Sequence, residues 1–269
     1  MTTVLDAVPL QVLRVQGPTW LPAIAAGGLG GVFIFATYKW WWPTLISGVL
    51  FLAATLYWLW TGTAEIPEKQ SKDIGNSKRL PLYRAGVTST GWWAMFITMT
   101  GDLTAFLSLI FGYFFFWTIH DDFPPAGVTG PGWVWPMVAA IIVLVAWALT
   151  LGSRLVNARG APAIARLMLA GAIVAALGGA AALLAGPWTT GLDPTEHAYP
   201  AIVWALALWT ALHLGTGAIM QAYCLARSLF GKLTPTHDAD LWNVTLYWHF
   251  TGFCALLTAA VIGGFPLLA

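Results

Sequence analysis

The sequence predicts an all-α fold, a polytopic membrane protein of seven transmembrane helices in a two-plus-five arrangement, and three observations carry that prediction. The 269 residues are 58% hydrophobic and 9% charged, with a mean hydropathy of +0.73, whereas about a quarter of a soluble globular chain is charged. Apolar runs of roughly 20 residues, the length a helix needs to cross a bilayer, recur along the chain. The basic residues fall between those runs and favour one side. A net charge of +1 with no basic patch offers nothing to a polyanion, so no nucleic acid is expected as a partner.

The seven runs lie at about residues 19–39, 41–61, 91–118, 133–156, 162–186, 199–229 and 240–268. The longest polar connection, GTAEIPEKQSKDIGNSKRLPLYRAGVTST at 62–90, reads as a cytoplasmic linker. It joins helices one and two (19–61) to a five-helix bundle (91–268) within one membrane domain, 1–269. No internal repeat is evident. The opening MTTVLDAVPLQVLRVQGPTW has no basic region followed by a short apolar core and small-residue cleavage site, so no cleaved signal peptide is expected.

Orientation follows from charge, because positive loops stay cytoplasmic. Under seven spans Arg14, Lys69, Lys72, Lys78, Arg79, Arg84, Arg154, Arg159, Arg166, Arg227 and Lys232 share one side, and only Lys39 takes the other. This puts the N-terminus in the cytoplasm, the C-terminus in the periplasm and the acidic loops IHDDFPPAG and GLDPTEHAYP outside. Tryptophan agrees: Trp20, Trp40, Trp41, Trp42, Trp58, Trp60, Trp92, Trp93, Trp117, Trp133, Trp135, Trp188 and Trp242 cluster at predicted helix ends, in the interfacial layer that indoles prefer.

One carboxylate, Asp102, interrupts FITMTGDLTAFLSLIFGYFFFWT, an otherwise uncharged run. A charged acid at mid-membrane costs at least about 2.5 kcal/mol, so it calls for a partner or a function. Eleven residues into its helix, Asp102 lies roughly 16 Å deep. Thr98, four positions earlier, shares its helix face and is placed to hydrogen-bond it. Two roles stand open: a neutral acid tying helices together, or a proton-linked or partner-facing group. His213 in LWTALHLGTGAIM and His249 in NVTLYWHFTGF are a second candidate pair. They suit either axial haem ligation or hydrogen bonding between helices. His120, His197 and His237 belong to loops.

Other chemistries find no residues. Helix seven has no lysine for a retinal Schiff base. Cys224 and Cys254 stand alone in apolar surroundings, and no His, Cys or Met spacing fits copper or zinc, so the chain is read as metal-free. Small residues crowd GGLGGVFIF and AGAIVAALGGAAALLAG, and Gly27 with Gly31 forms a GxxxG that permits close helix approach.

Four segments occur in chain order: GWWAMFITMTGDLTAFLSLIFGYFFFWT, FPPAG, ALHLGTGAIM with His213, and LYWHFTGF with Tyr247, Trp248, His249 and Phe250. In that order they resemble the subunit III family of haem-copper respiratory oxidases. The approach RLPLYRAGVTSTGWWAM is most similar to the subunit III portion of bacterial subunit I/III fusions. Asp102 stands where mitochondrial-type members carry glutamate, and Thr251 where many carry valine followed by aspartate.

The resemblance implies subunit III of a bacterial aa3-type cytochrome c oxidase, in the bacterial inner membrane beside subunits I and II. It implies no cofactor in this chain, with haem a and copper in the partner subunits. Phospholipid would be bound in a cleft between helices one to two and three to seven. The implied role is to support proton uptake and turnover stability in subunit I, with Asp102 and Thr98 proton-linked or partner-facing. Arg84 and Arg227, at cytoplasmic helix ends, are either lipid-phosphate ligands or ordinary positive-inside residues. Two other readings are an accessory subunit of a related quinol oxidase or nitric oxide reductase, and a proton-coupled small-solute transporter using Asp102 and His213 as a relay. The transporter lacks its usual inverted repeats.

The charge bias makes a topological prediction. Lys72→Cys and Asp193→Cys variants should label from opposite faces of sealed cells, Lys72→Cys from the cytoplasm. Labelling from one face alone would contradict the seven-span count.

Overall fold

A computed structural model describes residues 18–62, 71–76, 78–81 and 83–267; Arg14 and Lys69 of the basic set lie outside them. Among the described residues are seven α-helices: α1 (Leu21–Thr37), α2 (Trp41–Gly62), α3 (Thr90–Ile119), α4 (Val134–Ala158), α5 (Pro162–Thr189), α6 (Ala198–Leu229) and α7 (Ala239–Ala259). Six, α2 to α7, are long and apolar enough to cross a membrane. The chain is therefore a multi-pass membrane protein. It divides into two compact units at the Tyr83–Arg84 boundary.

In the first unit α1 is shorter than the sequence predicts. Its 17 residues reach about 26 Å at 1.5 Å per residue, short of a hydrocarbon core of about 30 Å. A Schellman motif ends it: Lys39 takes φ 60°, its N–H donates to the Ala36 carbonyl, and the Trp40 N–H donates to Phe35. The pair α1 and α2 packs through glycine, though not through the predicted Gly27. A Cβ on Gly28 would lie 2.8 Å from the Phe51 backbone and one on Gly31 2.6 Å from Ser47, whereas Gly27 has nothing within 4 Å. Part of the polar connection is ordered as an antiparallel pair, β1 (Ser71–Asp73) and β2 (Arg79–Pro81), with Lys72 opposite Leu80. Its turn holds Gly75 and Asn76 at positive φ, and the Asp73 carboxylate accepts the Gly75 N–H.

The second unit is the bundle α3 to α7. On α5 the buried residues Ala165, Leu169, Ala172, Ala176, Gly179 and Ala182 recur every three or four positions, one helix face. That face lets α5 approach α4, where a Cβ on Gly179 would lie 2.8 Å from Val143. At the centre is α7, buried on most sides and in contact with α3, α4 and α6.

Three tryptophans seat on three glycines. The fully buried Trp248 of α7 lies against Gly217 of α6, where a Cβ would meet the indole at 3.1 Å. Trp147 of α4 lies against Gly252 of α7, at 2.5 Å from a built Cβ. Trp242 of α7 lies against Gly86, which has φ 60° in a short 3-10 turn, Gly86–Thr88. The α-helix α7 ends at Ala259, earlier than predicted, and the chain continues as a π turn, Ala260–Gly264, and a 3-10 turn, Phe265–Leu267. There Gly263 sits against Pro136 of α4, and Pro266 has no N–H to continue a helix.

The seats predict unequal glycine substitutions. Gly252→Ala should lower thermal stability in detergent by about 1–3 kcal/mol through overpacking against Trp147. Gly101→Ala, with nothing within 4 Å of the new methyl, should leave stability unchanged or raise it by up to about 1 kcal/mol through helix propensity.

Candidate functional site

On α3 the buried stripe is Met99, Phe106, Ile110 and Tyr113. Asp102 lies at the edge of that stripe, which leaves its side chain 42% exposed. His213 lies near the middle of α6 with a side chain 14% exposed, and its Nε2 is 3.9 Å from Asp102 Oδ2. The intramembrane acid therefore has a partner, at ion-pair distance and just beyond hydrogen-bonding range.

The imidazole is held by neighbours on α6 and α7. Its Nδ1 is 2.8 Å from the Trp209 carbonyl one turn earlier. A carbonyl only accepts, so Nδ1 carries a proton and donates it. Nε2 is left to face Asp102. The Trp209 ring stacks on the imidazole at 3.8 Å between centroids, Phe250 meets it edge-on at 5.7 Å, and Tyr247 lies parallel at 6.5 Å. The Tyr247 hydroxyl donates to the His213 carbonyl at 3.1 Å. Thus α3, α6 and α7 all contribute to one cluster.

Thr98 does not make the expected bond to Asp102. Its hydroxyl donates to the Ala94 carbonyl at 3.0 Å, the nearest unshared lone pair on its own helix. Thr100, Thr104 and Ser108 do the same toward Phe96, Thr100 and Thr104, and all four side chains lie on exposed positions.

Neither are the two histidines of the haem alternative brought together. Tyr247 and Phe250 take the side of α7 facing His213, and residue 249 lies roughly 200° around the helix from residue 247. His249 is exposed, edge-on to Trp147 of α4 at 5.6 Å. Trp248 packs on Gly217.

The two candidate arginines differ. Arg84 is exposed just before the Gly86–Thr88 turn. Arg227 is buried, its Nε 2.9 Å from Asp240 Oδ2, and its guanidinium donates to the Tyr223 hydroxyl at 3.3 Å. Its guanidinium is engaged inside the bundle. Asp240 occupies the first turn of α7, where an acid also complements the helix dipole. The sequence reading missed this pair, although an acid opening the next helix was a usable signal. It also missed two polar links between helices: the Gln221 amide donating to Thr150 at 2.7 Å, and Thr210 with Thr258 at 2.8 Å.

The two ends of the bundle carry different charge. Arg84, Arg154, Arg159, Arg166, Arg227 and Lys232 lie at one end, where the Arg154 guanidinium stacks 3.9 Å above the Trp242 ring. Burial pushes the Asp238 carboxyl there above its ordinary value, an effect that the charge of Arg154 opposes. At the other end a cavity of about 390 Å³ is lined in part by Thr129, Thr190, Asp193, Glu196 and His197. The Thr195 hydroxyl, and then its N–H, hold the Asp193 carboxyl below its ordinary value. His197 Nε2 lies 3.9 Å from Asp122.

No family model matches the sequence, and neither does any curated protein.

The Arg227–Asp240 pair makes a prediction. Asp240→Asn strands a buried guanidinium and should lower detergent stability by about 1–3 kcal/mol, less than a fully buried pair loses because Asp240 is partly exposed. Joint replacement with Arg227→Met and Asp240→Leu should recover part of that loss in the same melt.

Proposed function

We propose that this protein is a cofactor-free subunit III of a bacterial aa3-type cytochrome c oxidase, lying in the inner membrane beside subunits I and II. In this reading haem a and copper belong to the partner subunits, which carry out electron transfer and oxygen reduction. This chain supports proton uptake and turnover stability of subunit I, with phospholipid bound alongside it. The supporting observation is convergence: residues from three of the four family-like segments, Asp102, His213, Tyr247 and Phe250, meet in one cluster. Segments that match a family only by chance have no reason to assemble a common site. The charge bias supports an N-terminus in the cytoplasm and a C-terminus in the periplasm.

The approach of Asp102 to His213 also favours a second reading, a proton-coupled small-solute transporter using the pair as a relay. Against it, α3, α4 and α6 each run without a break through their membrane segments, whereas transporter sites are typically built from discontinuous helices. An accessory subunit of a quinol oxidase or nitric oxide reductase differs in the partner's haem and electron donor.

Purification in mild detergent through a tag on this chain tests the proposal. The expected eluate contains a haem-copper subunit I in equal amount and the visible spectrum of haem a, and dissociated chain carries no haem. Recovery of the chain alone, from cells making a haem-copper oxidase, would count against the proposal and leave the transporter. Another haem type in the partner would select the quinol oxidase or nitric oxide reductase reading.

A further inference from the structure

We propose that the outer side of α7 is a docking seam for one transmembrane helix of a partner protein, and that this helix carries hydrogen-bonding side chains opposite Arg154 and His249. The inference rests on the packing of α7 and holds whether or not the partner is an oxidase subunit.

Three sides of α7 are enclosed. It packs on α3, α4 and α6, with Tyr247 and Phe250 turned to His213, Trp248 on Gly217 and Gly252 on Trp147. Around it α3 packs against α6 and α4 against α5, but no comparable contact joins α3 to α4. The fourth side therefore stays open. Two residues of α7 are exposed, His249 and Phe253, and they share a stripe with the partly buried Trp242, Leu246 and Leu256. The five follow one another at intervals of four, three, four and three residues, the repeat of a helix seam that faces one partner. On a helical wheel they fall within about 80° of one another, between the Phe250 and Gly252 sides. A stripe this narrow suits a single second helix crossing at about 20°.

His249 identifies the occupant. It lies ten residues into α7, about 15 Å from the helix start. Its ring meets Trp147 edge-on at 5.6 Å, and neither nitrogen has a hydrogen-bond partner among the described residues. Acyl chains offer an imidazole nothing to bond, and ionisable side chains in spanning segments turn to a partner for that reason. His249 turns outward. A lipid headgroup stays in the interfacial layer, whereas a polar side chain on a neighbouring helix reaches this depth. Two turns nearer the basic end, the Arg154 guanidinium covers the Trp242 ring at 3.9 Å, with no carboxylate at ion-pair distance among the described residues. A guanidinium only donates. The helix that fits carries an acceptor, a carboxylate or amide, beside Arg154 near the interface. It carries a second polar group beside His249, about 10 Å deeper by the rise of seven residues. Leu246 and Phe253 supply apolar contact on either side of His249.

The test places the photoreactive residue p-benzoylphenylalanine at Leu246 or Phe253 of the full chain in native membranes. Leu167 and Val174, exposed on α5, are the control positions. Illumination should join each seam position to one other membrane protein. The joined peptide should be a spanning segment with a carboxylate, amide or hydroxyl side chain within about one turn of the linked residue, and the controls should give lipid adducts. His249→Leu should lower the adduct yield at Phe253 about threefold or more, the worth of one hydrogen bond between helices in lipid, and His249→Gln should restore it. Both variants should melt in detergent as the parent chain does, because residue 249 is exposed. Whether the joined protein is a haem-copper subunit bears on the oxidase reading alone. Lipid adducts alone at the seam, adducts within this chain or to a second copy, a joined span without a polar side chain, or an unchanged yield from His249→Leu would each overturn the proposal.

Discussion

Lipid tails are as apolar as leucine, so apolar side chains gain little by leaving lipid for each other, and helices must be held by close packing and by polar groups that satisfy one another. The bundle follows from that constraint. Its closest approaches are indoles on glycines, Trp248 on Gly217 and Trp147 on Gly252, with Trp242 on Gly86 at one end. Each gives a flat ring contact that a methyl group would push apart. The three seats tie α7 to α6, to α4 and to the segment preceding α3. The central helix is thereby fixed in rotation, and its rotation decides which of Tyr247, Trp248, His249 and Phe250 meets which neighbour.

Polar links between helices add to the packing. Gln221 reaches Thr150, Thr210 reaches Thr258 and Arg227 reaches Asp240. The Gln221–Thr150 and Thr210–Thr258 links are enclosed by other helices, whereas Asp240 is partly exposed. Asp102 and His213 differ because the acid sits where the buried face of α3 gives way to its exposed face. A pair in that position lies at the border between the packed and the exposed face of the helix. Local structure, packing and the chemistry of the pair thus rest on the same helix rotations.

Much of this was legible in the sequence. The six long spans, α2 to α7, follow from apolar runs, because in a bilayer length and hydropathy dictate helices with little competition from tertiary context. Asp102 and His213 stood out as polar groups without local company. Their proximity was not legible, since it depends on the rotation of two helices distant in sequence. Thr98 was misread because helical spacing places it near the acid but also one turn from the Ala94 carbonyl, and the intrahelical acceptor is always in reach. The end of α1 was hidden because Lys39, with no intrinsic preference for positive φ, takes it to close the turn. Gly28 outranks Gly27 for a similar reason: spacing allows either to face α2, and only the packed geometry chooses.

The hydroxyls of Thr98, Thr100, Thr104 and Ser108 each bond back to their own helix, so this exposed side of α3 offers a neighbour no unmet donor. Lipid can wet it and protein can cover it with the same number of hydrogen bonds intact. Contacts made there are decided by shape alone. Such a surface can part from its neighbour and meet it again without leaving a single hydroxyl stranded in hydrocarbon.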